Sequence, residues 1–156
     1  MTSNYSNGPQ HDQGRTPLDR KMPHVLLIED DDVMREMLAE ALRREGWEVT
    51  ECVDGSHCLQ TCGHDTLSCQ TANHDFSETY DVLVSDIRMP NMSGLDVLRI
   101  LKESHWAGAC PPTVLITAFG DEETHERARE LGAVTVLDKP FAMKELIQTV
   151  RTVTGT

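Results

Sequence analysis

The chain has 156 residues, with 14 lysines and arginines against 26 aspartates and glutamates, so its formal net charge is −12. This acidic balance argues against a nucleic-acid ligand, because phosphate backbones are bound by basic surfaces. The longest apolar run is too short to cross a bilayer and the N-terminal residues lack a signal-peptide layout, so we expect a cytoplasmic protein with reduced cysteines.

The first 23 residues differ in composition from the rest of the chain. They are rich in Ser, Asn, Gly, Pro and Gln and show no apolar period, which is typical of a disordered leader. The length that remains suits one domain of ordinary size. We therefore predict a leader over 1–23 and a folded domain over 24–154.

Short apolar runs and helical patterns alternate from residue 25 onward. Strands are predicted over 25–28, 47–52, 82–84, 114–116 and 134–137. The first helix should end at Gly46, and its apolar spacing is set by Met34, Met37, Leu38, Ala41 and Leu42. Further helices are predicted from about 55, after 94, over 121–131 and over 143–153. Five strand–helix units favour an α/β fold, an open parallel sheet with helices on both faces.

Polar residues of complementary chemistry follow four of these strands. Glu29 and Asp30 follow the first strand, Asp86 the third, Thr117 the fourth and Lys139 the fifth. In open parallel sheets, ligands bind at the carboxyl ends of the strands. Carboxylates brought together there repel unless a cation or a proton lies among them, and oxygen ligands suit Mg²⁺. Asp86 could then accept a phosphoryl group, whose oxygens Thr117 and Lys139 would bind.

Four sequence pieces carry a resemblance to a known family. They are LIEDDDVMR (27–35), VSDIRMPNMSG (84–94), ITA (116–118) and DKPF (138–141). Together and in this order they resemble the receiver domain of bacterial two-component response regulators, as in chemotaxis regulators. The resemblance implies a flavodoxin-like fold: a doubly wound, five-stranded parallel sheet with strand order 2-1-3-4-5.

The resemblance also implies a role for each matching residue. Asp86 is implied to be the phosphoacceptor, Thr117 the switch hydroxyl, and Lys139 the phosphoryl-contacting lysine, joined to Pro140 by a cis bond. The residues implied to hold the Mg²⁺ cofactor are Glu29, Asp30, Asp86 and, through its backbone carbonyl, Arg88. In the family the receiver catalyses its own phosphotransfer and dephosphorylation, so we do not expect an enzyme with a separate substrate.

The implied function is a phosphorylation-dependent signalling switch. Its expected partners are a sensor histidine kinase or a phosphotransfer protein, and a downstream protein of unknown identity that meets an altered surface. The surface built from the last two helices and the fifth strand is the expected contact, and it could also form a homodimer. No effector domain follows residue 153, so we expect a stand-alone receiver or a segment of a longer regulator, with no membrane or direct nucleic-acid contact.

Several positions depart from the family pattern or have a local explanation. Asp31 and Asp32 are expected to cap and charge the first helix rather than to bind metal. Val136 stands where the family usually has an aromatic residue whose ring moves with the switch hydroxyl. Valine has no ring and a stiff side chain, so this part of the switch is not expected here. Arg88 and Phe119, two positions after the acceptor and the switch hydroxyl, are expected to set the rate of dephosphorylation.

Two segments leave alternatives open. The helix over 121–131 has few apolar anchors, so it is either an output element or an ordinary polar surface helix. The insert at about 57–79 carries several soft metal ligands, which are His57, Cys58, Cys62, His64, Cys69 and His74. Because their spacing does not match the closed pairs of structural zinc sites, an extended second helix with a mobile loop is preferred over zinc.

Two other classes of function stay open. A non-phosphorylated receiver-like interaction module would keep the fold and signal by constitutive contacts. A phosphatase with an aspartate nucleophile also uses an acid after a strand, but it typically carries a second aspartate two residues later, where this chain has Arg88. The sequence therefore favours the switch over both.

Overall fold

Strands and helices alternate along the residues that the computed structural model describes, 22–61, 80–103 and 110–156. The elements are β1 (His24–Ile28), α1 (Asp32–Arg44), β2 (Glu48–Cys52), α2 (Gly55–Thr61), β3 (Val82–Asp86), α3 (Gly94–Glu103), β4 (Thr113–Thr117), α4 (Glu122–Glu130), β5 (Thr135–Asp138) and α5 (Met143–Thr154). Each strand of the prediction corresponds to a strand of the structure, displaced by at most two residues at either end.

The strands form one parallel sheet in the order β2-β1-β3-β4-β5. β3 and β4 are buried along their whole length, and β1 is buried from its second residue, as strands covered on both faces must be. β2 and β5 lie at the edges and are only partly buried. The predicted fold class and strand order are confirmed.

Alternate residues of β1 face two different layers of helices. Val25 and Leu27 belong to a core that includes Leu38 and Leu42 of α1 and Leu146 of α5. Leu26 and Ile28 belong to a second core, which includes residues of α2 and α3, namely Cys58, Leu59, Val97 and Leu101. The sheet is thus covered on both faces, and its carboxyl ends stay open between the layers.

Local hydrogen bonds fix where the helices begin. Asp31 is the N-cap of α1, because its carboxylate accepts from the backbone N–H of Met34 at 2.7 Å. Asp121 caps α4 in the same way through the N–H of Thr124 at 2.8 Å. The sequence placed both of these boundaries correctly. Asp32, in the first turn of α1, also matches its predicted place.

The first helix departs from the prediction in two respects. It ends at Arg44 rather than at Gly46, which lies beyond the cap residue Glu45 and has a φ of 88°. Met37 was predicted on the apolar face, but it is 53% exposed, and the buried position is taken by Ala39. Leu38 and Leu42 are compatible with an apolar face that includes either Met37 or Ala39, and the structure buries Ala39.

Two further expectations concern residues outside the described ones. Residues 1–21 of the predicted leader (1–23) and residues 62–79 of the predicted insert (about 57–79) belong to this part of the chain. Among the helices that the structure does describe, none is long and apolar enough to cross a membrane.

Candidate functional site

The polar residues predicted at the strand ends lie at one edge of the sheet. Glu29 directly follows β1, Asp86 and Thr117 are the last residues of β3 and β4, and Lys139 directly follows β5. Backbone hydrogen bonds hold these ends in register: the Lys139 N–H donates to the Thr117 carbonyl at 2.7 Å. The Lys139–Pro140 peptide bond is cis, as expected.

Three carboxylates converge at this edge. Glu29, Asp30 and Asp86 each offer an oxygen atom, and these atoms all lie within 4.8 Å of one another. Glu29 and Asp86 are buried, whereas Asp30 is exposed, so the cluster is open to solvent on one side. Asp31 and Asp32 have local partners at the start of α1. Of the four acids after β1, Glu29 and Asp30 thus lie in the cluster, whereas Asp31 and Asp32 bond at the start of α1, as predicted for these two.

Lys139 supplies a positive charge to the cluster. Its ammonium lies 3.2 Å from Asp86 Oδ1 and 3.4 Å from Glu29 Oε2. The Asp86 carboxylate also accepts a hydrogen bond from the backbone N–H of Arg88. Glu29 accepts one from the N–H of Asp31 at 3.2 Å. Both buried carboxylates are therefore bonded, as buried charges require.

The electrostatic balance of the cluster still disfavours its negative charges. Burial raises the pKa of the Glu29 carboxyl above its usual range, and the charge of Asp86 raises it further. Burial also raises the pKa of Asp86, although Lys139 acts in the opposite direction. For Lys139, burial lowers the pKa, but attraction to the two carboxylates outweighs this effect and raises it. One ammonium thus does not neutralise the site, and an additional cation would be bound favourably.

The donor set fits a hard divalent ion. Carboxylate oxygens are the ligands that Mg²⁺ prefers, and Mg²⁺ usually binds through one or two carboxylates and keeps several waters. The exposed side of Asp30 leaves room for such waters. Among the described residues, Glu29, Asp30 and Asp86 can supply these oxygens.

The hydroxyl of Thr117 has a local partner in this structure. Thr117 is buried, and its Oγ1 accepts a hydrogen bond from the backbone N–H of Phe119 at 3.1 Å. This contact is the local backbone bond that a threonine after a strand often makes. The predicted roles of the Thr117 hydroxyl and of the Arg88 carbonyl oxygen stay predictions.

Two residues chosen from the sequence for their positions prove to be in contact. The guanidinium carbon of Arg88 lies 4.5 Å from the centre of the Phe119 ring, which is 62% exposed. A cation over an aromatic face is attracted by the quadrupole of the ring. The loops after β3 and β4 are therefore linked beside the cluster. Sequence spacing placed each residue in its loop but could not show the contact.

A glycine lets the loop after β3 pack closely against the end of that strand. A Cβ atom on Gly94 would lie 2.3 Å from the backbone oxygen of Asp86 and 2.9 Å from Ser85 Oγ. The Gly94 N–H donates to the carbonyl of Ile87 at 2.9 Å, which closes this loop. The glycine is thus needed for close approach rather than for an unusual φ.

Arg35 is a site residue that the sequence analysis did not single out. Its Nη1 donates to the carbonyl oxygen of Glu29 at 3.0 Å, and its Nε lies 3.6 Å from Glu51 Oε2. A positive charge in the first turn of a helix is unfavourable for the helix dipole. That anomaly was the available signal.

The other expectations have mixed outcomes. Val136 lies in β5, half-buried against a small cluster that includes Leu115 and Ala128. Of the insert, Cys58 is described and buried, and His57 Nδ1 accepts from the N–H of Val53 at 3.3 Å. The other Cys and His residues of the insert, Cys62, His64, Cys69 and His74, lie outside the described residues, so the alternatives of zinc or an extended helix stay open there.

Solved structures share this architecture. The chemotaxis protein CheY4 of Vibrio cholerae matches with a TM-score of 0.69 and 25% identity, covering 85% of this chain and 99% of that chain. The receiver domain of the Francisella response regulator 1452 matches with a TM-score of 0.69 and 26% identity, covering 85% and 97%. The doubly wound sheet of this chain thus has the fold of these receiver domains.

Sequence comparison identifies the family. The model described as "Response regulator receiver domain" matches residues 25–151. The chain therefore belongs to the receiver domains of two-component response regulators, a family of signal-transduction proteins, and the predicted resemblance is confirmed.

Curated relatives are longer than this chain. The transcriptional activator protein PfeR of Pseudomonas aeruginosa is 35% identical over 124 residues, 80% of this chain and 35% of PfeR. The transcriptional regulatory protein CpxR of Escherichia coli is 32% identical over 132 residues, 85% of this chain and 49% of CpxR. PdtaR of Mycobacterium tuberculosis is 32% identical over 136 residues, 85% of this chain and 57% of PdtaR. The chain thus spans about a third to somewhat over half of these relatives.

Proposed function

We propose that this chain is a phosphorylation-dependent switch that accepts a phosphoryl group on Asp86 from a histidine kinase or a phosphotransfer protein. The observation that carries the proposal is the convergence of three carboxylates with the Lys139 ammonium, 3.2 Å from Asp86. The proposed receiver domain is the segment 24–154, preceded by a leader over 1–23.

The proposed transfer takes place on the carboxylate of Asp86. An oxygen of its carboxylate attacks the phosphorus atom, and the phosphorus–nitrogen bond of the donor histidine breaks. The departing nitrogen keeps the electron pair of that bond and takes a proton from solvent. Hydrolysis later returns the Asp86 carboxylate and inorganic phosphate, so the protein catalyses its own modification and release and has no separate substrate.

The chain's own residues orient the acceptor and receive the new charge. The Arg88 N–H and the Lys139 ammonium hold the Asp86 carboxylate, and Lys139 remains available as a point charge for a phosphoryl oxygen. Glu29, Asp30, Asp86 and the Arg88 carbonyl are the proposed Mg²⁺ ligands, with Glu29 acting through water. When bound, Mg²⁺ would offset negative charge on the phosphoryl oxygens.

The proposed response is a shift between two loop arrangements that already exist in equilibrium. In the second arrangement the Thr117 hydroxyl leaves the Phe119 N–H and binds a phosphoryl oxygen. The proposed partner surface is built from α4, β5 and α5. A groove of about 570 Å³ lies along β5 and α5, and its lining includes Val134, Lys144, Gln148 and Val153. A downstream protein or a second copy of the chain would bind there.

The test is phosphorylation by acetyl phosphate with MgCl₂, followed by Phos-tag electrophoresis and intact-protein mass spectrometry. We expect one phosphoryl group on the parent protein and none on Asp86→Asn. Asp81→Asn is the matched control, because Asp81 precedes β3 at the opposite end of the strand. Modification of Asp86→Asn to the level of the parent would contradict the acceptor assignment. Modification that is unaffected by EDTA would contradict the role of Mg²⁺.

A further inference from the structure

Arg35 lies in the first turn of α1, where a positive charge opposes the helix dipole. Its side chain is only 14% exposed, so it does not simply extend into solvent. A largely buried guanidinium needs acceptors, since burying a charge without partners is costly. An arginine at this position is therefore explained by its polar contacts and not by the helix dipole.

The guanidinium joins three elements. Nη1 donates to the carbonyl oxygen of Glu29 at 3.0 Å, directly after β1. Nη2 contacts the carboxylate of Asp32 in the same helix turn, and Nε lies 3.6 Å from Glu51 Oε2 on β2. Glu51 is held on its other oxygen by Arg43 at 2.8 Å. Arg35 is thus anchored on β2 and α1 while it bonds the backbone of Glu29.

The Glu29 backbone is bonded on both sides. Its N–H donates to the carbonyl of Cys52 at 3.2 Å, and its carbonyl accepts from Arg35 at 3.0 Å. These two bonds hold the peptide groups on either side of the Glu29 Cα, which carries the buried carboxylate, and the second of these peptides leads to the exposed Asp30. Without Arg35, the carbonyl of a 1% exposed residue would lose its guanidinium partner. The turn would then reorient to find another donor.

We propose that Arg35 is a positioning residue for the cation site: it holds the Glu29–Asp30 turn so that both carboxylates face Asp86. This inference rests on the proposed Mg²⁺ binding and names a residue that acts on it without touching the ion. Partners that orient metal ligands from behind typically contribute about 10-fold to 100-fold to metal affinity.

The geometry calls for arginine rather than for any cation. The planar guanidinium presents donors in three directions, which match one carbonyl and two carboxylates on different elements. A lysine ammonium would keep the charge near Glu29, Asp32 and Glu51 but could not reach all three acceptors at once. Arg35→Lys thus separates the effect of the guanidinium geometry from the effect of the positive charge.

The experiment is isothermal titration of the unphosphorylated full chain with MgCl₂. We expect Arg35→Met to weaken binding at least about 10-fold, Arg35→Lys to be intermediate, and Arg43→Met to bind like the parent. Arg43 is the matched control because it contacts Glu51 and the Val49 carbonyl but no residue of the Glu29–Asp30 turn. Equal Mg²⁺ affinity in the parent, Arg35→Lys and Arg35→Met would overturn the inference.

A second readout does not depend on the ion. Hydrogen exchange without Mg²⁺, resolved by residue with NMR, should show faster exchange of the Glu29 and Asp31 amides in Arg35→Lys than in Arg43→Met. If Arg35→Met fails to fold, Arg35→Lys carries both tests. A parent protein that binds no Mg²⁺ would overturn the proposed cation site, while unchanged exchange of the two amides would overturn the positioning role itself.

Discussion

The Lys139 ammonium contacts the Asp86 carboxylate at 3.2 Å. Asp86 is the last residue of β3 and Lys139 follows β5, so this contact crosses the end of β4, which lies between them. The lysine also reaches Glu29 after β1, so one side chain spans the ends of three strands. The single positive charge of Lys139 neutralises only part of the negative charge of the three clustered carboxylates. The stability of the ion-free protein should therefore depend on how much negative charge the cluster carries.

Asp86→Asn should stabilise the protein when Mg²⁺ is absent. The pKa of Asp86 is raised, mainly by burial, which means that the folded surroundings disfavour its charge even with Lys139 beside it. Removing the charge should raise the free energy of unfolding by about 1 kcal/mol, or about 3 °C in Tm. Thermal unfolding in EDTA measures this effect.

This increase in stability should shrink when MgCl₂ is added, because only the parent keeps all the proposed Mg²⁺ ligands. Asp81→Asn is the control, since it changes a carboxylate outside the cluster and should give no stabilisation. A lower Tm for Asp86→Asn than for the parent in EDTA would show that the Lys139 contact outweighs the cost of burying the Asp86 charge.

Arg88→Ala and Phe119→Ala should each shorten the lifetime of the phosphorylated protein. The Arg88 guanidinium carbon lies 4.5 Å from the centre of the Phe119 ring. We expect this pair, which joins the loops after β3 and β4, to slow the approach of water to a phosphoryl group on Asp86. An exposed pair of this kind contributes about 0.5–1 kcal/mol, so hydrolysis should accelerate about twofold to fivefold. Loss of label after removal of acetyl phosphate gives the rate.

The capacity for phosphorylation should change less than this lifetime. The double variant should match either single variant, because both substitutions remove the same contact. Arg129→Ala, an exposed arginine on α4, serves as the control. Equal lifetimes in the parent and the two single variants would end this explanation.

Gly94→Ala should both destabilise the fold and impair phosphorylation of Asp86, the proposed acceptor. The new Cβ would lie 2.3 Å from the backbone oxygen of Asp86, and neither backbone can move freely. We expect a loss of about 3 kcal/mol in urea unfolding and a lower yield of phosphorylation. Gly46→Ala is the matched control: its Cβ meets nothing within 4 Å, so only its φ of 88° costs about 1 kcal/mol. Similar losses in both variants would contradict the steric explanation.

Asp96 should contribute to stability in a pH-dependent way. Hydrogen bonds from the Ser93 hydroxyl at 2.8 Å and the Ser93 N–H at 3.0 Å lower the pKa of its carboxyl at the start of α3. A lowered pKa in the folded state stabilises fully above the unfolded value of about 3.9, and the stabilisation is lost as pH falls through the folded value.

Asp96→Asn should therefore cost about 0.5–1 kcal/mol at neutral pH, and the difference from the parent should vanish in acid. Urea unfolding followed by the fluorescence of the buried Trp47 measures it. Ser93→Ala should show a similar cost and should weaken the pH dependence. A difference that stays constant with pH would show that the charge of Asp96 is not involved.

The amide hydrogens of α4 should exchange faster than those of α1. Within these two fully described helices, α4 buries Ala128, whereas α1 buries Leu38, Ala39 and Leu42. Local opening costs less where less apolar surface is buried, so a difference of about 10-fold is expected. Hydrogen-exchange mass spectrometry of the ion-free protein tests it, and slower exchange in α4 would favour an ordinary, firmly held surface helix.

The sheet and the placement of the cluster could be predicted because they depend on local pattern. Runs such as 25–28 are apolar on both faces only when helices cover both sides, and strand ends share one edge. The exposure of Met37 could not be predicted, since Ala39 fits the same helical period with a smaller side chain. The Arg88–Phe119 contact joins two loops, and its existence depends on how those loops fold against each other.

The position of Arg35 shows a different limit of sequence reasoning. Its cost to the helix dipole was visible in the sequence, but its benefit depends on a carbonyl after β1 and a carboxylate on β2. A positive charge in the first turn of a helix thus indicates that the side chain has a compensating partner, but the sequence does not show which residue that partner is. The same holds for Lys139, whose place after a strand was clear while its two partners were not.

The sparse anchoring of α4 has a consequence for how such a molecule can diversify. Because Ala128 is the residue that this helix buries, its outward positions can accept substitutions without disturbing the sheet. The chemistry at the strand ends depends on other elements, so it is preserved while the outer face of α4 is rewritten. Substitutions on the outer face of α4 can thus change which partner this helix contacts while the residues at the strand ends stay the same.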